Sequence, residues 1–122
     1  MIKSIYSLAV WLSITIACSA QDCNSLPQSF ASPTQATQMV KKAKFHYVDH
    51  IDTKKSSWIR EAAYYSCDGK SGFFLLVAKS GREYLFQDMP INIWIGFKNE
   101  NSHGGYYNQY IRDKYQLKIK KS

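Results

Sequence analysis

Residues 81–115 constrain the fold more than any other stretch, because they read as a strand, an abrupt stop and two helices. The segment 81–88 alternates apolar and polar residues, which is typical of a half-buried strand. Pro90 cannot donate a hydrogen bond to a sheet ladder, so the strand is predicted to end there. Apolar residues then recur at helical spacing in 91–98 and again in 102–115. The stretch predicts a sheet covered by two closing helices.

The two closing helices are predicted to turn their aromatic faces towards the sheet. In the first, one helical face is shared by Ile91, Trp94, Ile95 and Lys98, with Phe97 beside them. In the second, Ser102 is placed to cap the N-terminus. Apolar and aromatic residues then recur every four positions, at Tyr107, Ile111 and Tyr115.

A short helix is predicted earlier in the chain, from Ser32 to about Ala43. Ser32 can act as the N-cap, Pro33 suits the first helical position, and Gln35 completes a capping box. The lysines near its end suit the negative pole of the helix dipole.

Four segments have strand-like patterns, with turn signals between the last three. The predicted strands are 45–51, 58–66, 73–79 and 83–88. The nearly all-apolar segment 73–79 is expected to be central and buried. Tight turns are predicted at Gly69 and Gly81. The fold class is therefore α+β: a small antiparallel β-meander packed by two C-terminal helices, with a short N-terminal helix.

The first twenty residues resemble a signal peptide, with Lys3 as the positive end, an apolar run over 5–17 and small residues after it. Two cleavage sites are compatible with this pattern. Cutting after Ala20 fits the small-x-small rule. Cutting before Cys18 would make a lipoprotein, since 15–18 resembles a lipobox with threonine where leucine is usual. Either cut predicts an exported protein that is periplasmic, secreted or lipid-anchored.

Export bears on the cysteines. Cys18 is either removed with the leader or lipidated, which leaves Cys23 and Cys67 as a pair in a compartment that permits disulfides. A bridge between them is predicted, with Cα atoms within about 7 Å. Two separate thiols are the alternative.

The formal charge of +7, or +6 without Lys3, favours an anionic partner such as nucleic acid, lipid head groups or acidic polysaccharide. The positive charges cluster only at 41–44 and 118–121. A solvated face is the other explanation of both clusters.

His46 and His50 could be considered as ligands of one metal ion, but the predicted strand places them too far apart. His46 and His50 would stack on a helix, but four residues along a strand span about 13 Å, too far for one ion to take both. No metal and no cofactor are predicted.

The chain offers no catalytic motif that stands out. Ser57 and Ser102 lie outside any Gly-x-Ser-x-Gly elbow, and Ser102 has a use as a cap. Glu61 and Glu83 could pair as acid and base, but adjacent strands hold such residues routinely. No catalytic residue is predicted, and the chain is not expected to be an enzyme.

Residues Ser56 to Tyr115 resemble the KTSC domain, a short module named for its place at the C-terminus of some lysyl-tRNA synthetases. The matching pieces are Ser56-Ser57-Trp58-Ile59, Tyr65, Gly81 to Pro90 and Ser102 to Tyr115. The family's central Tyr-x-Tyr appears as Tyr84-Leu85-Phe86, which lacks the second hydroxyl, and its Val-Pro as Met89-Pro90. The resemblance implies no established activity. The synthetase association suggests RNA binding, which export disfavours.

The polar residues chosen as binding candidates are Tyr84, Asn108 and Arg112. The guanidinium group of Arg112 can bind an anion through two hydrogen bonds. Helical spacing places Asn108 one turn before it on the same face. A structural network joining helix to sheet is the alternative. The expected function is non-catalytic binding of an anionic envelope component or a protein. The alternative functions are nucleic-acid binding and an enzymatic activity of unknown type. Membrane attachment is expected only through a lipid on Cys18.

The chain is predicted to contain one folded domain behind its leader. The segments are a signal peptide (1–20), a connector (21–31), a helix and strand extension (32–55), a KTSC-like domain (56–116) and a basic tail (117–122).

Overall fold

The computed structural model describes residues 21–121. A 3-10 turn at Cys23–Ser25 is followed by helix α1 (Pro33–Lys42), strands β1 (Tyr47–Asp52), β2 (Ile59–Ser66), β3 (Ser71–Ala78) and β4 (Glu83–Pro90), and helices α2 (Ile91–Asn99) and α3 (His103–Tyr106). Helix α3 continues as a π turn over Tyr107–Ile111. The predicted leader, with Lys3 and Cys18, lies outside the described residues. Within 21–121, no helix combines the length and apolar character that crossing a membrane requires.

The sheet is an antiparallel meander in the order β1-β2-β3-β4. The turns on either side of β3 contain Gly69 (φ 75°) and Gly81 (φ 95°), a backbone region that glycine enters without a steric penalty. Strand β3 is interior, and its second half is buried. The predicted α+β fold with its two C-terminal helices is confirmed.

Helices cover both faces of the sheet. On one face, Trp94 and Phe97 of α2 are fully buried against Tyr64 and Phe74. The Tyr64 and Trp94 rings stack with centroids 5.6 Å apart, and the Tyr64 hydroxyl donates to the Met89 carbonyl at 2.7 Å. On the other face, α1 packs through Ala36 and Val40 onto β3 and β4.

The serine caps of the helices form as their sequences predict. The Ser32 hydroxyl accepts from the Gln35 amide at 3.1 Å, while the Gln35 side chain accepts from the Ala31 amide at 3.0 Å. The Ser102 hydroxyl accepts from the Gly105 amide at 3.1 Å. The two serine bonds satisfy amides that the first turn of a helix leaves without partners. The Gln35 side chain bonds the amide before the N-cap, whereas a capping box uses the N-cap amide itself.

The last helix is shorter than its aromatic spacing predicts. It ends at Ile111, and Tyr115 has a φ of 55°, outside any helix. The chain leaves the helix because it pairs with the free edge of β4: the Tyr115 carbonyl accepts from the Gln87 amide at 2.8 Å. The predicted face of α2 also needs correction, because Ile95 is 43% exposed and Phe97 takes the buried position beside Trp94.

The connector 21–31 is more ordered than its polar composition predicts. Phe30 is 1% exposed. Its amide donates to the Lys118 carbonyl at 2.9 Å, and its carbonyl accepts from the Lys120 amide at 2.7 Å. The segment is ordered because the basic tail pairs with it, a contact between chain ends that local composition does not encode.

Candidate ligand-binding groove

An open groove lies between α1, the start of β4 and the chain that follows Ile111. Its volume is about 860 Å³, within the roughly 300–1,000 Å³ typical of ligand pockets. We name it the Tyr84 groove. The side chains used below that line it are Lys41, Arg82, Glu83, Tyr84, Tyr107 and Asp113.

Tyr84 gives the groove an accessible aromatic ring. It lies on β4 opposite Leu76 of β3, and it is 37% exposed. The Arg82 guanidinium carbon lies 5.8 Å from the centre of its ring. Such a cation–π contact contributes about 0.5–1 kcal/mol at an exposed site. The pair therefore presents a flat apolar surface beside a positive charge.

Tyr107 forms part of the groove wall and links it to the core. Its ring packs edge-on against Trp58, with centroids 5.4 Å apart, and against Phe86, at 5.8 Å. Burial raises the pKa of the Tyr107 phenol, and the nearby Arg112 guanidinium opposes that rise, while Tyr84 and Asp113 add to it. Arg112 therefore acts electrostatically on the Tyr107 hydroxyl.

The three sequence-predicted binding residues have different places in this geometry. Tyr84 lines the groove, and Arg112 acts electrostatically on a groove residue. The reasoning that put Asn108 and Arg112 on one helical face is wrong, because Arg112 is the residue after the π turn and has an extended backbone (φ −55°, ψ 131°). Asn108 is exposed within that turn. A binding role for these three residues stays a prediction.

Two sets of charged contacts tie the helices to the sheet, one within the groove and one on the opposite face of the sheet. Lys41 of α1 forms an ion pair with Glu83 of β4. On the other face of the sheet, the Asp49 carboxylate accepts from Trp94 Nε1 at 3.0 Å and from Lys98 Nζ at 2.7 Å. The Lys98 hydrogen bond lowers the pKa of the Asp49 carboxyl, and the Trp94 bond adds to this effect.

Sequence reasoning did not find Asp49 or Arg82. Asp49 lies between the two histidines in sequence, and the signal of a charged partner for it was Lys98, which follows Trp94 by four residues and so shares its helical face. Arg82 stands two residues before Tyr84, and alternation along a strand would have placed both on one side.

The catalytic candidates are engaged in other contacts. Glu83 pairs with Lys41, and Glu61 pairs with Arg60 at 3.3 Å. The Ser102 hydroxyl is used as a helix cap. No carboxylate pair or activated nucleophile is assembled by these residues.

The structure joins Cys23 and Cys67 in a disulfide, with their Cα atoms 5.9 Å apart. This distance meets the predicted limit of about 7 Å. Cys67 lies one residue beyond β2, and Cys23 begins the 3-10 turn. The bridge fixes the connector across one end of the sheet.

The histidines are arranged differently from the pair that the sequence argument considered. His46 precedes β1 and His50 lies within it. His46, without His50, groups with Asp22 and the two bridged cysteines, with one potential ligand atom from each within 4.8 Å of the others.

These features define a small α+β domain with an open groove that is aromatic on one side and cationic beside it. Residues 74–115 match the family model of the KTSC domain, which confirms the resemblance for that segment. KTSC is not a known enzyme family.

A crystal structure of a KTSC domain protein from Yersinia pestis is similar, at 16% sequence identity and a TM-score of 0.49. The match covers 62% of this chain and 100% of that one. A search of curated proteins gives no match.

Proposed function

We propose that the protein is an exported, non-catalytic binding module of the cell envelope, and that the Tyr84 groove binds an acidic polysaccharide. The observation that carries the proposal is the exposed Tyr84 ring with Arg82 beside it, inside an open groove of about 860 Å³. Aromatic rings stack on the apolar faces of sugars, and guanidinium groups bind carboxylates through paired hydrogen bonds.

The charges around the groove favour an anionic ligand. Lys41 is neutralised by Glu83, but neither Arg82 nor Arg112 forms an ion pair with another residue of 21–121. Arg82 and Asp113 line the groove and have opposite charges. Arg112 is outside the lining but acts electrostatically on Tyr107, so the excess positive charge at the groove comes from Arg112. The formal charge of +7 adds a long-range attraction for anions that salt screens.

Salt-dependent retention on immobilised heparin tests this proposal. The purified protein should elute at higher salt than Arg82→Gln and Arg112→Gln variants. Lys70→Gln is the matched control: it removes one positive charge in the β2–β3 turn, at the opposite end of β4 from the groove. If Lys70→Gln and Arg112→Gln lowered the elution salt concentration by the same amount, only net charge would matter. That result would refute heparin binding in the groove.

The ring of Tyr84 is tested separately from the charges. Tyr84→Phe keeps the aromatic surface and should retain binding, whereas Tyr84→Ala should weaken it. Stacking contributes about 1–3 kcal/mol per base in comparable aromatic sites. Identical binding by both variants would exclude stacking on this ring.

Single-stranded nucleic acid is the second candidate, because an exposed tyrosine beside arginines can also stack bases and contact phosphates. The two ligands differ in a competition experiment. Heparin oligosaccharides should displace the protein from immobilised heparin at lower concentration than an oligonucleotide of equal charge. The reverse order would favour the nucleic-acid function.

Export is the remaining part of the proposal, and it rests on Lys3, the apolar run and Ala20. N-terminal sequencing and mass spectrometry of the protein from its native host test it. The mature chain should begin at Gln21, or at Cys18 carrying a lipid. An intact Met1 on cytoplasmic protein would contradict export.

A further inference from the structure

The Cys23–Cys67 disulfide lies beside two further metal-ligating side chains. One ligand atom each of Asp22, Cys23, His46 and Cys67 lies within 4.8 Å of the other three. We propose that reduction of this disulfide converts the cluster into a site for one thiophilic divalent cation, with Zn²⁺ as the reference ion.

Backbone pairing brings the four residues together without help from the disulfide. The Cys23 amide donates to the Lys44 carbonyl at 3.0 Å, and the Lys44 amide donates to the Gln21 carbonyl at 2.7 Å. These bonds hold Asp22 and Cys23 next to the segment that carries His46. Tyr47 pairs with Ser66 at the end of the β1–β2 ladder, so the next residues outward are His46 and Cys67. The ligands should therefore stay close after the S–S bond is broken.

The donor set suits a soft, tetrahedral ion. Two thiolates, an imidazole and a carboxylate are the ligand types that zinc takes, at about 2.3 Å for sulfur and about 2.0–2.2 Å for nitrogen and oxygen. Ligands at these radii lie roughly 3.3–3.8 Å apart around a tetrahedron. The most distant pair of ligand atoms, now up to 4.8 Å apart, must approach by about 1 Å, while the two sulfurs must move apart once their bond is broken.

The burial of the cluster allows an ion to enter from one side. Cys23 is 7% exposed, which shields the inner side of the site. Cys67 is partly buried, whereas Asp22 and His46 are exposed. The exposed side chains can close over the ion from the solvent side.

The conversion balances as two separate steps. A dithiol reductant gives two electrons and two protons to the S–S bond, becoming a disulfide itself, and leaves Cys23 and Cys67 as thiols. Binding of the cation then releases both thiol protons to solvent, because thiolates are the ligands. The oxidised form offers no thiolate and should bind poorly.

Cobalt titration of the purified protein tests the site. The protein is reduced with a phosphine under anaerobic conditions and titrated with Co²⁺, and Zn²⁺ is then added as competitor. We expect one equivalent of Co²⁺ to give thiolate-to-metal charge transfer and the visible bands of tetrahedral cobalt, both abolished by Zn²⁺. The oxidised protein should give neither signal. Absence of these bands in reduced protein would overturn the proposal.

Histidine variants identify the ligands. His46→Asn should weaken Co²⁺ binding by more than the roughly 10–100-fold typical of losing an outer-shell partner. His50→Asn is the matched control, because it removes a histidine of β1 that is outside the cluster, and it should bind as the parent does. Asp22→Asn, at an exposed position, should also weaken binding. If only Cys23→Ser or Cys67→Ser affected binding, in variants whose circular dichroism is unchanged, the four-ligand site would be wrong.

Discussion

Breaking the Cys23–Cys67 bridge should lower stability by an amount that the loop length predicts. The two cysteines are 44 residues apart in sequence. In the chain-entropy model, closing a loop of this length in the unfolded state stabilises the fold by about 4 kcal/mol. For a domain of this size, each 1 kcal/mol corresponds to roughly 4–8 °C. The melting temperature should therefore fall by at most about 15–30 °C.

The domain should nevertheless fold without the bridge, because the Trp94 and Phe97 core lies between the sheet and α2, away from the connector. Differential scanning calorimetry of the oxidised protein and the Cys23→Ser/Cys67→Ser variant measures the difference, with a chelator present to exclude metal effects. Cys18, if retained, is replaced in both proteins. An unchanged melting temperature would refute the entropic reasoning. Loss of all cooperative unfolding would show that the sheet and helices do not suffice.

Two further predictions concern single side chains. Gly72→Ala should destabilise the fold by more than 1 kcal/mol or so, because an added Cβ would lie 2.1 Å from the Tyr65 carbonyl oxygen of the neighbouring strand. Asp49→Asn should lower stability at neutral pH. Since the pKa of Asp49 is lower in the folded state, mainly through Lys98, its contribution is complete above the unfolded pKa and is lost as pH falls through the folded value.

Urea denaturation measures both predictions. Ser71→Ala is the control for Gly72→Ala, because it changes the neighbouring residue without adding an atom. A Gly72→Ala protein as stable as its parent would show that β2 and β3 can separate at this point. For the second, the parent should lose stability below about pH 4 more steeply than Asp49→Asn. Parallel pH profiles would show that the Asp49 carboxyl titrates alike in both states.

The sheet and its turns could be predicted because their determinants are local. Alternating residues, glycines at positive φ and the proline that ends β4 each act within a few positions of the chain. The caps at Ser32 and Ser102 are local in the same way. The predicted strands consequently match the observed ones closely.

The errors arose where distant segments decide the outcome. The aromatic period of residues 107–115 favours a continuing helix, but pairing of Tyr115 with β4 ends it at Ile111. Phe30 looked like part of a loose connector because its partners, Lys118 and Lys120, lie near the other end of the chain. Neither contact has a signature in the neighbouring sequence.

The candidate groove was predictable only in part, for the same reason. Tyr84 was one of the three polar residues predicted to bind a ligand, and it does line the groove. The opposite wall comes from α1, outside the resembling segment, and no spacing rule connects Lys41 with Glu83. The grouping of His46 with Asp22 likewise depends on an isolated bridge between Asp22 and Lys44.

The most direct test of the proposed function is a chemical-shift titration of the isotopically labelled protein with a defined heparin oligosaccharide. Saturable shifts should be confined to amides of the groove, with Tyr84, Tyr107 and Arg112 among them, and should be absent around Lys70. Tyr84→Ala should weaken the fitted affinity without moving shifts elsewhere. Shifts around Lys70 as large as those in the groove, or no saturable shift at all, would contradict a ligand site in the Tyr84 groove.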